Sequence, residues 1–514
     1  MIALAFLATL IFTPLVLLCA KSLGIVDRPD GHRKLHGAEI PLGGGVAILG
    51  ALVVTLATTL LVPNSGRDLL IPDQRFLAGL ALSLLVICGV GLADDRFRLP
   101  GRIKLAGQAA AVGILILSGF HIQNLQFGGW QVNLGLLAIP FTFVWLLGTV
   151  NALNLIDGMD GLATSVGVIL SLAIAGVAFL HGDLCGCFLA MMIAGSLLGF
   201  LCFNIPPAQI FLGDAGSMLI GLTLGALALR CSLKTPNTSL FFIPVALWTI
   251  PFFDVGMAIL RRKLTGRSIY TTDRGHLHHC LLQRGYSGWT ALLAISLVCG
   301  ATAAGAVTGV WLGYDVFAVL VAAGVMGTMV ASRFFGNAEY GLLCQRVKAL
   351  LRSLVQFQNE SGNRSQQLCT RIQGMRKWDG LWQTLTTYAD QFDLTAVQLN
   401  INVPSLHEEY HARWDRKACR DRATLCDTEI PLVAGSRTVG RVKITVDSLQ
   451  RDSMCAWMTE LIAGLQPFES HLQSLLAEPV PSPRPKSTRS RRRSSRVLAE
   501  EGRRVLQPEF QPNS

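Results

Sequence analysis

Eleven apolar runs, each long enough at about 20 residues for an α-helix to cross a bilayer, begin at residues 3, 43, 76, 104, 136, 162, 186, 216, 240, 289 and 315. In hydrocarbon every backbone N–H and C=O must be satisfied within its own segment, so runs of this kind predict helices and leave few other folds open. The composition agrees. Of 514 residues only 15% are charged and 51% are hydrophobic, with a mean hydropathy of +0.46. That is too little charge to cover a soluble surface, which excludes a disordered chain, a fibre and an ordinary cytosolic enzyme. The 13 cysteines are odd in number and scattered, with no paired CxxC spacing, so they indicate neither a disulfide framework nor a structural zinc site.

Charge divides the chain. Residues 1 to 332 hold 18 Lys+Arg and 14 Asp+Glu, against 26 and 19 in residues 333 to 514. The first run, MIALAFLATLIFTPLVLLCA, has no charged leader and no small-residue cleavage site before Lys21, so it is expected to stay as a helix. One set of alternate connections carries Lys21, Arg28, Arg33 and Lys34, then Arg96, Arg98 and Arg102, then Arg261, Arg262, Lys263, Arg267, Arg274 and Arg284. The other set has Arg67, Arg75, Arg230 and Lys234. The positive-inside rule makes the richer side cytoplasmic. The expectation is an all-α polytopic domain over residues 1–332 in the cytoplasmic (inner) membrane, with 11 spans, the N-terminus outside and the C-terminal third inside.

That third reads as a small α+β cytosolic domain over residues 340–478. An amphipathic stretch covers Tyr340 to Phe357 and a second helical pattern Trp378 to Phe392. Alternating runs follow at Val397 to Val403, Ile430 to Val433 and Val439 to Val446, the last two separated by Ala434-Gly435-Ser436, and a final helix covers Met454 to Leu476. At the level of pattern it resembles the GAF or PAS sensor type. Residues 479–514 include PVPSPRPKSTRSRRRSSR, a Pro-, Ser- and Arg-rich stretch without apolar periodicity, which predicts a disordered basic tail.

An ionised group inside hydrocarbon is costly, so the positions of the acids in the membrane half are informative. Asp27, Asp30, Glu39, Asp94, Asp95, Asp157, Asp160, Asp214 and Asp273 lie in or at the ends of the cytoplasmic loops, with Asp254 a little way up a helix. A transporter would place some near mid-span; this pattern favours a site at the membrane face.

Five loops supply it. DRPDGHRKLHGAEIPLGGG offers Arg33, Lys34 and His36 to an anion, and its glycines Gly43 to Gly45 allow close approach of phosphate or of another helix. GLADDRFRLPGRIKLAGQ has the adjacent carboxylates Asp94 and Asp95, whose repulsion favours a base or a cation site, and Lys104 at the level of a lipid headgroup. In NALNLIDGMDGLA, Asn151, Asn154 and Asp157 share a ~120° sector of a helix face, and Asp160 sits in the turn after it, with no Lys or Arg in the segment to neutralise the acids. Two amides and two carboxylates point to a cation or a hydrogen-bonded ligand. FNIPPAQIFLGDAGSMLIG presents Asp214 at a helix start, placed either to hold Mg²⁺ against a diphosphate or to cap the helix. RRKLTGRSIYTTDRGHLHHCLLQRG brings His276, His278 and His279 beside Arg274 and Arg284, a set suited to phosphate and leaving-group contacts. Acids for a metal, basic groups for phosphates and access to lipid together suit phosphoryl transfer, where catalysis is mostly positioning and charge neutralisation.

DRPDGHRKLHGAEIPLGGG, DDRFRLPGRIKL, NALNLIDGMDG, FLGDAGS and HLHH, in this order, resemble the successive motifs of the polyprenyl-phosphate N-acetylhexosamine-1-phosphate transferases, the glycosyltransferase 4 superfamily that includes phospho-MurNAc-pentapeptide translocase. The resemblance implies transfer of a sugar 1-phosphate from a UDP-sugar to undecaprenyl phosphate or a similar lipid, with release of UMP. It implies Mg²⁺, with Mn²⁺ as the alternative, held by Asp214 with Asn154 close by. It gives Asp94 or Asp95 the acceptor phosphate, Asn204 and Phe211 the uridine, and Asp157, Asp160 and His276 to His279 the diphosphate and sugar. HLHH and the DRPxxxRKxH opening are similar to the branch that uses UDP-N-acetylglucosamine and initiates cell-envelope polysaccharide synthesis. The partners expected are the UDP-sugar donor, the polyprenyl phosphate and membrane lipids, with a homodimer allowed and no nucleic acid. The competing class is an inactive membrane receptor or scaffold working through its C-terminal domain; such a descendant would have lost acids that are all present here. Since the five loops precede residue 340, the region beyond it is expected to be dispensable for chemistry.

Overall fold

The computed structural model describes residues 2–27, 39–127, 130–231, 241–264, 275–337, 339–341, 343–344, 347, 366–373, 378–403, 408–416, 425–434, 437–447 and 454–477. The membrane half contains α1 (Ile2–Ser22), a short ladder of β1 (Val26–Asp27) with β2 (Ile40–Pro41), α2 (Gly44–Leu61), α3 (Ser65–Leu70), α4 (Gln74–Phe97) and α5 (Gly101–Leu117). A hairpin of β3 (Asn124–Phe127) and β4 (Trp130–Asn133) precedes α6 (Ala138–Ile156), α7 (Leu162–Leu180), α8 (Leu184–Asn204) and α9 (Gly213–Cys231). Then come α10 (Phe242–Leu247), α11 (Thr249–Leu264), α12 (Leu277–Gln283), α13 (Gly288–Leu312) and α14 (Asp315–Ala331).

Among the described residues, eight helical segments are long and apolar enough to cross a membrane. The protein is therefore a multi-pass membrane protein. Three of the expected runs take a different form. α5 and α14 have 17 residues each, the lower edge of the ~17–25 residue spanning range. The run from residue 240 is two helices meeting at Trp248.

α9 is the axis of the bundle, with 94% of its most apolar window buried inside the protein. Helices associate in lipid chiefly by close packing of small residues, and glycines, two on neighbouring helices and one on α9 itself, bring α9 close to three of its neighbours. A Cβ added at Gly45 of α2 would lie 2.4 Å from the Gly216 nitrogen, one at Gly91 of α4 would lie 2.2 Å from the Ala215 Cα, and one at Gly221 would lie 2.7 Å from the Thr149 carbonyl of α6. The Gly43 to Gly45 patch thus serves helix packing. At the far end of α9, the buried Arg230 donates from Nε to Asp183 at 2.9 Å and from Nη2 to Asp73 at 2.6 Å, tying α9 to the starts of α8 and α4.

The C-terminal region has its own core. Its five-stranded antiparallel sheet has the order β5-β7-β6-β9-β8, from β5 (Gln366–Gln373), β6 (Ala396–Val403), β7 (Glu408–Asp415), β8 (Leu425–Ala434) and β9 (Arg437–Asp447). α15 (Trp378–Gln391) lies between β5 and β6 in sequence, and α16 (Met454–Gly464) and α17 (Gln466–Ala477) follow β9. Trp378, Leu381, Trp382 and Leu385 of α15 pack with Leu399, Ile401, Tyr410 and Trp414 of the sheet. The expected single helix over 454–476 is broken at Leu465; Pro467, which has no N–H to give a continuing helix, falls in the first turn of α17. β5 (QQLCTRIQ) and β7 (EEYHARWD) are not among the expected strands: β5 is mostly polar, and in β7 the alternation is confined to Tyr410, Ala412 and Trp414. The tail and most of the amphipathic 340–357 stretch lie outside the described residues.

Candidate active site

The polar residues singled out in the second, third and fourth loops meet at one end of the bundle because α4 and α6 end there while α5 and α9 begin there. Lys104 stands at the centre. Its Nζ donates to Asp214 Oδ2 at 2.7 Å and to Asn154 Oδ1 at 3.0 Å, and pairs with Asp94 Oδ2 at 2.8 Å. Asn154 turns its Nδ2 to Asp214 Oδ1 at 2.6 Å and to Ser217 Oγ at 3.0 Å. The third loop is therefore not left without a cation. Lys104 reaches it from α5, a neighbour in space and not in sequence.

Asp94 and Asp95 do not act as a facing pair. Consecutive residues on a helix point about 100° apart. Asp94 looks to Lys104 and accepts the Leu99 N–H at 2.7 Å. Asp95 turns to α9, where its two oxygens accept the N–H groups of Asp214 at 2.9 Å and Ala215 at 3.4 Å. Asp95 thus fixes the first turn of α9, favoured there by unpaired N–H groups and the positive end of the helix dipole. Asp214 itself faces Asn154 and Lys104.

Asp157 caps the C-terminus of α6. Burial, then the charges of Asp214, Asp95 and Asp160, push its carboxyl well above the ordinary carboxylate range. Asp160, in the turn before α7, accepts the Ala208 N–H at 3.0 Å and so holds the fourth loop against the third. Asn151 lies one turn further into the bundle, its Nδ2 on Gln108 Oε1 at 3.0 Å and on the Leu147 carbonyl at 2.8 Å. Asn204 is buried with both ends of its amide engaged, accepting from Thr164 Oγ1 at 2.8 Å and donating to the Ile210 carbonyl at 2.9 Å. Phe211 is half-buried, and its backbone pairs with Pro41 and Gly44 at the start of α2. Lys34, His36 and Arg274 lie outside the described residues.

The histidine loop joins this cluster from α12. The buried His278 lies against the third loop: a Cβ at Gly158 would be 2.2 Å from its Nε2. Its ring stacks at 6.2 Å on His276 and packs at 4.2 Å on His279. Among the described residues neither ring nitrogen of His278 has a hydrogen-bond partner, and burial, reinforced by His279 and His276, drives its pKa well below the ordinary value. His276 Nδ1 lies 2.9 Å from Asp254 Oδ2, and Asp254 Oδ1 accepts the Leu277 N–H at 2.8 Å. The signal for Asp254 in the sequence is an acid inside the apolar part of α11.

The donors turned into the cluster are oxygens from Asp214, Asp94 and Asn154, a hard set that suits Mg²⁺. Among the described residues no three His, Cys, Asp or Glu side chains form a ready cage for a metal. Carboxylates, an ammonium and imidazoles thus gather at one end of the helical bundle of a multi-pass membrane protein.

The sequence pattern of glycosyl transferase family 4 matches residues 77–232. A probable undecaprenyl-phosphate N-acetylglucosaminyl 1-phosphate transferase of Bacillus subtilis is 33% identical over 295 residues, covering 57% of this chain and 79% of the relative. A decaprenyl-phosphate N-acetylglucosaminephosphotransferase of Mycobacterium tuberculosis is 33% identical over 319 residues, 58% of this chain and 78% of its own length. A phospho-N-acetylmuramoyl-pentapeptide-transferase of Clostridium kluyveri is 32% identical over 287 residues, 53% and 84%. The chain belongs to this superfamily of polyprenyl-phosphate sugar-phosphate transferases.

Proposed function

We propose that the protein transfers N-acetylglucosamine 1-phosphate from UDP-N-acetylglucosamine to undecaprenyl phosphate or a similar polyprenyl phosphate, releasing UMP and starting a cell-envelope polysaccharide. The observation that carries this reading is the junction of Lys104, Asp94, Asn154 and Asp214 at the membrane face of a member of this family. An oxygen of the lipid phosphate forms a bond to the β-phosphorus of the donor while the bond to the bridging oxygen breaks, and UMP leaves with that oxygen. One phosphoanhydride replaces another, so the reaction is nearly balanced.

In this reading Asp214 and Asn154 hold Mg²⁺, which when bound neutralises the diphosphate. Asp94, whose Oδ2 faces Lys104, orients the acceptor phosphate, while Asp95 keeps the first turn of α9 in place. Asp157, at the end of α6, and Asp160 border the same ligands, and the histidines line the donor side. The proposal includes eleven spans with the N-terminus outside, an inner-membrane location with the site cytoplasmic, and the division into residues 1–332, 340–478 and 479–514.

Purified protein supplied with sugar-labelled UDP-N-acetylglucosamine, undecaprenyl phosphate and Mg²⁺ should place label in lipid. Asp214→Asn, or wild type in excess EDTA, should not. Full activity in either would sink the metal assignment; a silent wild type with a folded spectrum would sink the reaction.

A further inference from the structure

α11 carries two buried charged residues seven positions apart, Asp254 and Arg261, which lie on one face of the helix. Both act on the same tripeptide. Asp254 takes the Leu277 N–H and His276 Nδ1, and Arg261 donates from Nη2 to the Gly275 carbonyl at 2.9 Å. The fit at Gly275 is close: a Cβ there would lie 1.3 Å from Arg261 Nη1. The backbone ahead of the histidines is thus gripped from both sides by one helix.

Arg261 is held in turn from the far end of the membrane half. Its Nε donates to Glu339 Oε1 at 2.6 Å, and both side chains are almost fully buried, 2% and 6% exposed. The segment leading to Glu339 is packed onto the same elements. Arg284, just after α12, donates to the Phe334 carbonyl at 2.8 Å, and Phe335 meets Phe253 of α11 edge-on at 5.7 Å. Glu339 follows the last apolar helix and lies outside all five motifs.

We propose that Glu339, at the entry to the cytosolic extension, is a positioning residue of the transferase: by fixing Arg261 it sets the Gly275–Leu277 backbone and with it His276 and His278. The proposal rests on the reading of the histidine loop as part of the transferase site. It also moves the boundary of what chemistry requires. A chain ended after Ala338 lacks Glu339, so the catalytic unit extends past the last span into the extension.

The test uses the full-length protein in detergent, with transfer rates, thermal midpoints and hydrogen exchange over residues 275–283. Glu339→Ala should lower kcat by about tenfold or more, since small displacements of a positioned group have large kinetic effects, and should speed exchange over 275–283. The double variant Arg261→Met with Glu339→Leu removes both charges and, as buried pairs replaced by apolar groups often do, should regain the wild-type thermal midpoint while its kcat stays low. Wild-type kcat in Glu339→Ala, or activity restored along with stability in the double variant, would overturn the proposal. A wild type without transfer activity refutes the reaction and not the clamp. In that case unchanged exchange over 275–283 in Glu339→Ala would refute the clamp by itself.

Discussion

Gly91 is where the fold and the chemistry are most tightly joined, and Gly91→Ala tests the connection. The added Cβ would sit 2.2 Å from the Ala215 Cα, 2.4 Å from the Ala215 nitrogen and 2.8 Å from the Asp214 carbonyl carbon. Carbon atoms rest at ~3.5–4.0 Å, so α4 and α9 must part by about 1.5 Å. All three contacts are backbone and cannot rotate away. The same movement stretches the bond from the Asp214 N–H to Asp95 Oδ1, now 2.9 Å, beyond the ~3.2 Å limit of a good hydrogen bond. Overpacking of this kind costs about 1–3 kcal/mol of stability, and a misplacement of about 1 Å in a positioned site costs about 10²-fold in rate. Transfer by Gly91→Ala, measured at saturating substrates in protein that still elutes as a folded species, should fall by that factor. Gly89→Ala is the control: on the same helix, with nothing within 4 Å of its added Cβ, it should keep wild-type rates. If Gly91→Ala turns over within a factor of about 2 of wild type, the α4–α9 contact does not set the placement of Asp214 and the reasoning from close packing to rate fails.

Three further outcomes follow from other parts of the molecule. Lys104→Met leaves Asp94 and Asp214 facing each other without the ammonium and should lower initial rates by about tenfold or more; wild-type rates would show that Lys104 only balances charge. Arg230→Met leaves Asp183, whose side chain is 0% exposed, as a buried unpaired carboxylate, so the protein should lose about 3–5 kcal/mol of stability, seen as a lower midpoint in detergent. Because Arg230 is at the opposite end of α9, about 24 Å from Asp214 at 1.5 Å per residue, kcat of the surviving folded protein should not change, and a changed kcat would show coupling along α9. His278 is held neutral when folded, its pKa lying well below the ordinary 6.5. The unfolded chain therefore binds more protons below pH 6.5, and stability, full above that pH, should fall as pH drops through it. His278→Phe should flatten that part of the midpoint-against-pH curve, and an unchanged slope would exclude His278 as its source.

Eight helices of the membrane half were legible because length and apolarity specify a span, whereas the runs from 104, 240 and 315 form helices shorter than that. The C-terminal helix Trp378–Gln391 and the strand at Val397–Val403 were legible because their periodicities are clean. Strands β5 and β7 were not, since β5 is mostly polar and the alternation of β7 is confined to Tyr410, Ala412 and Trp414, with the inward position before them taken by the buried Glu408. The candidate site was legible as a set of loops and not as a geometry. A reading along the chain sees Asp94 beside Asp95 and Lys104 near both, but the 100° turn between consecutive helix residues, which sends one acid to α5 and the other to α9, depends on which helices are neighbours. The same limit hid the roles of Asp254, Arg261 and Glu339, whose partners lie 14 to 78 residues away.

In the proposed reaction a phosphorus atom changes partners. The direct test is transfer from UDP-N-acetylglucosamine carrying ³²P only at the β-phosphorus, with purified protein, undecaprenyl phosphate and Mg²⁺, followed by separation of lipid from nucleotide. Transfer of sugar 1-phosphate puts the ³²P into the lipid diphosphate and leaves unlabelled UMP. If the sugar reached the lipid while the ³²P stayed in the nucleotide as UDP, the protein would be moving a glycosyl group, and the site built around Lys104 and Asp214 would have been assigned the wrong reaction.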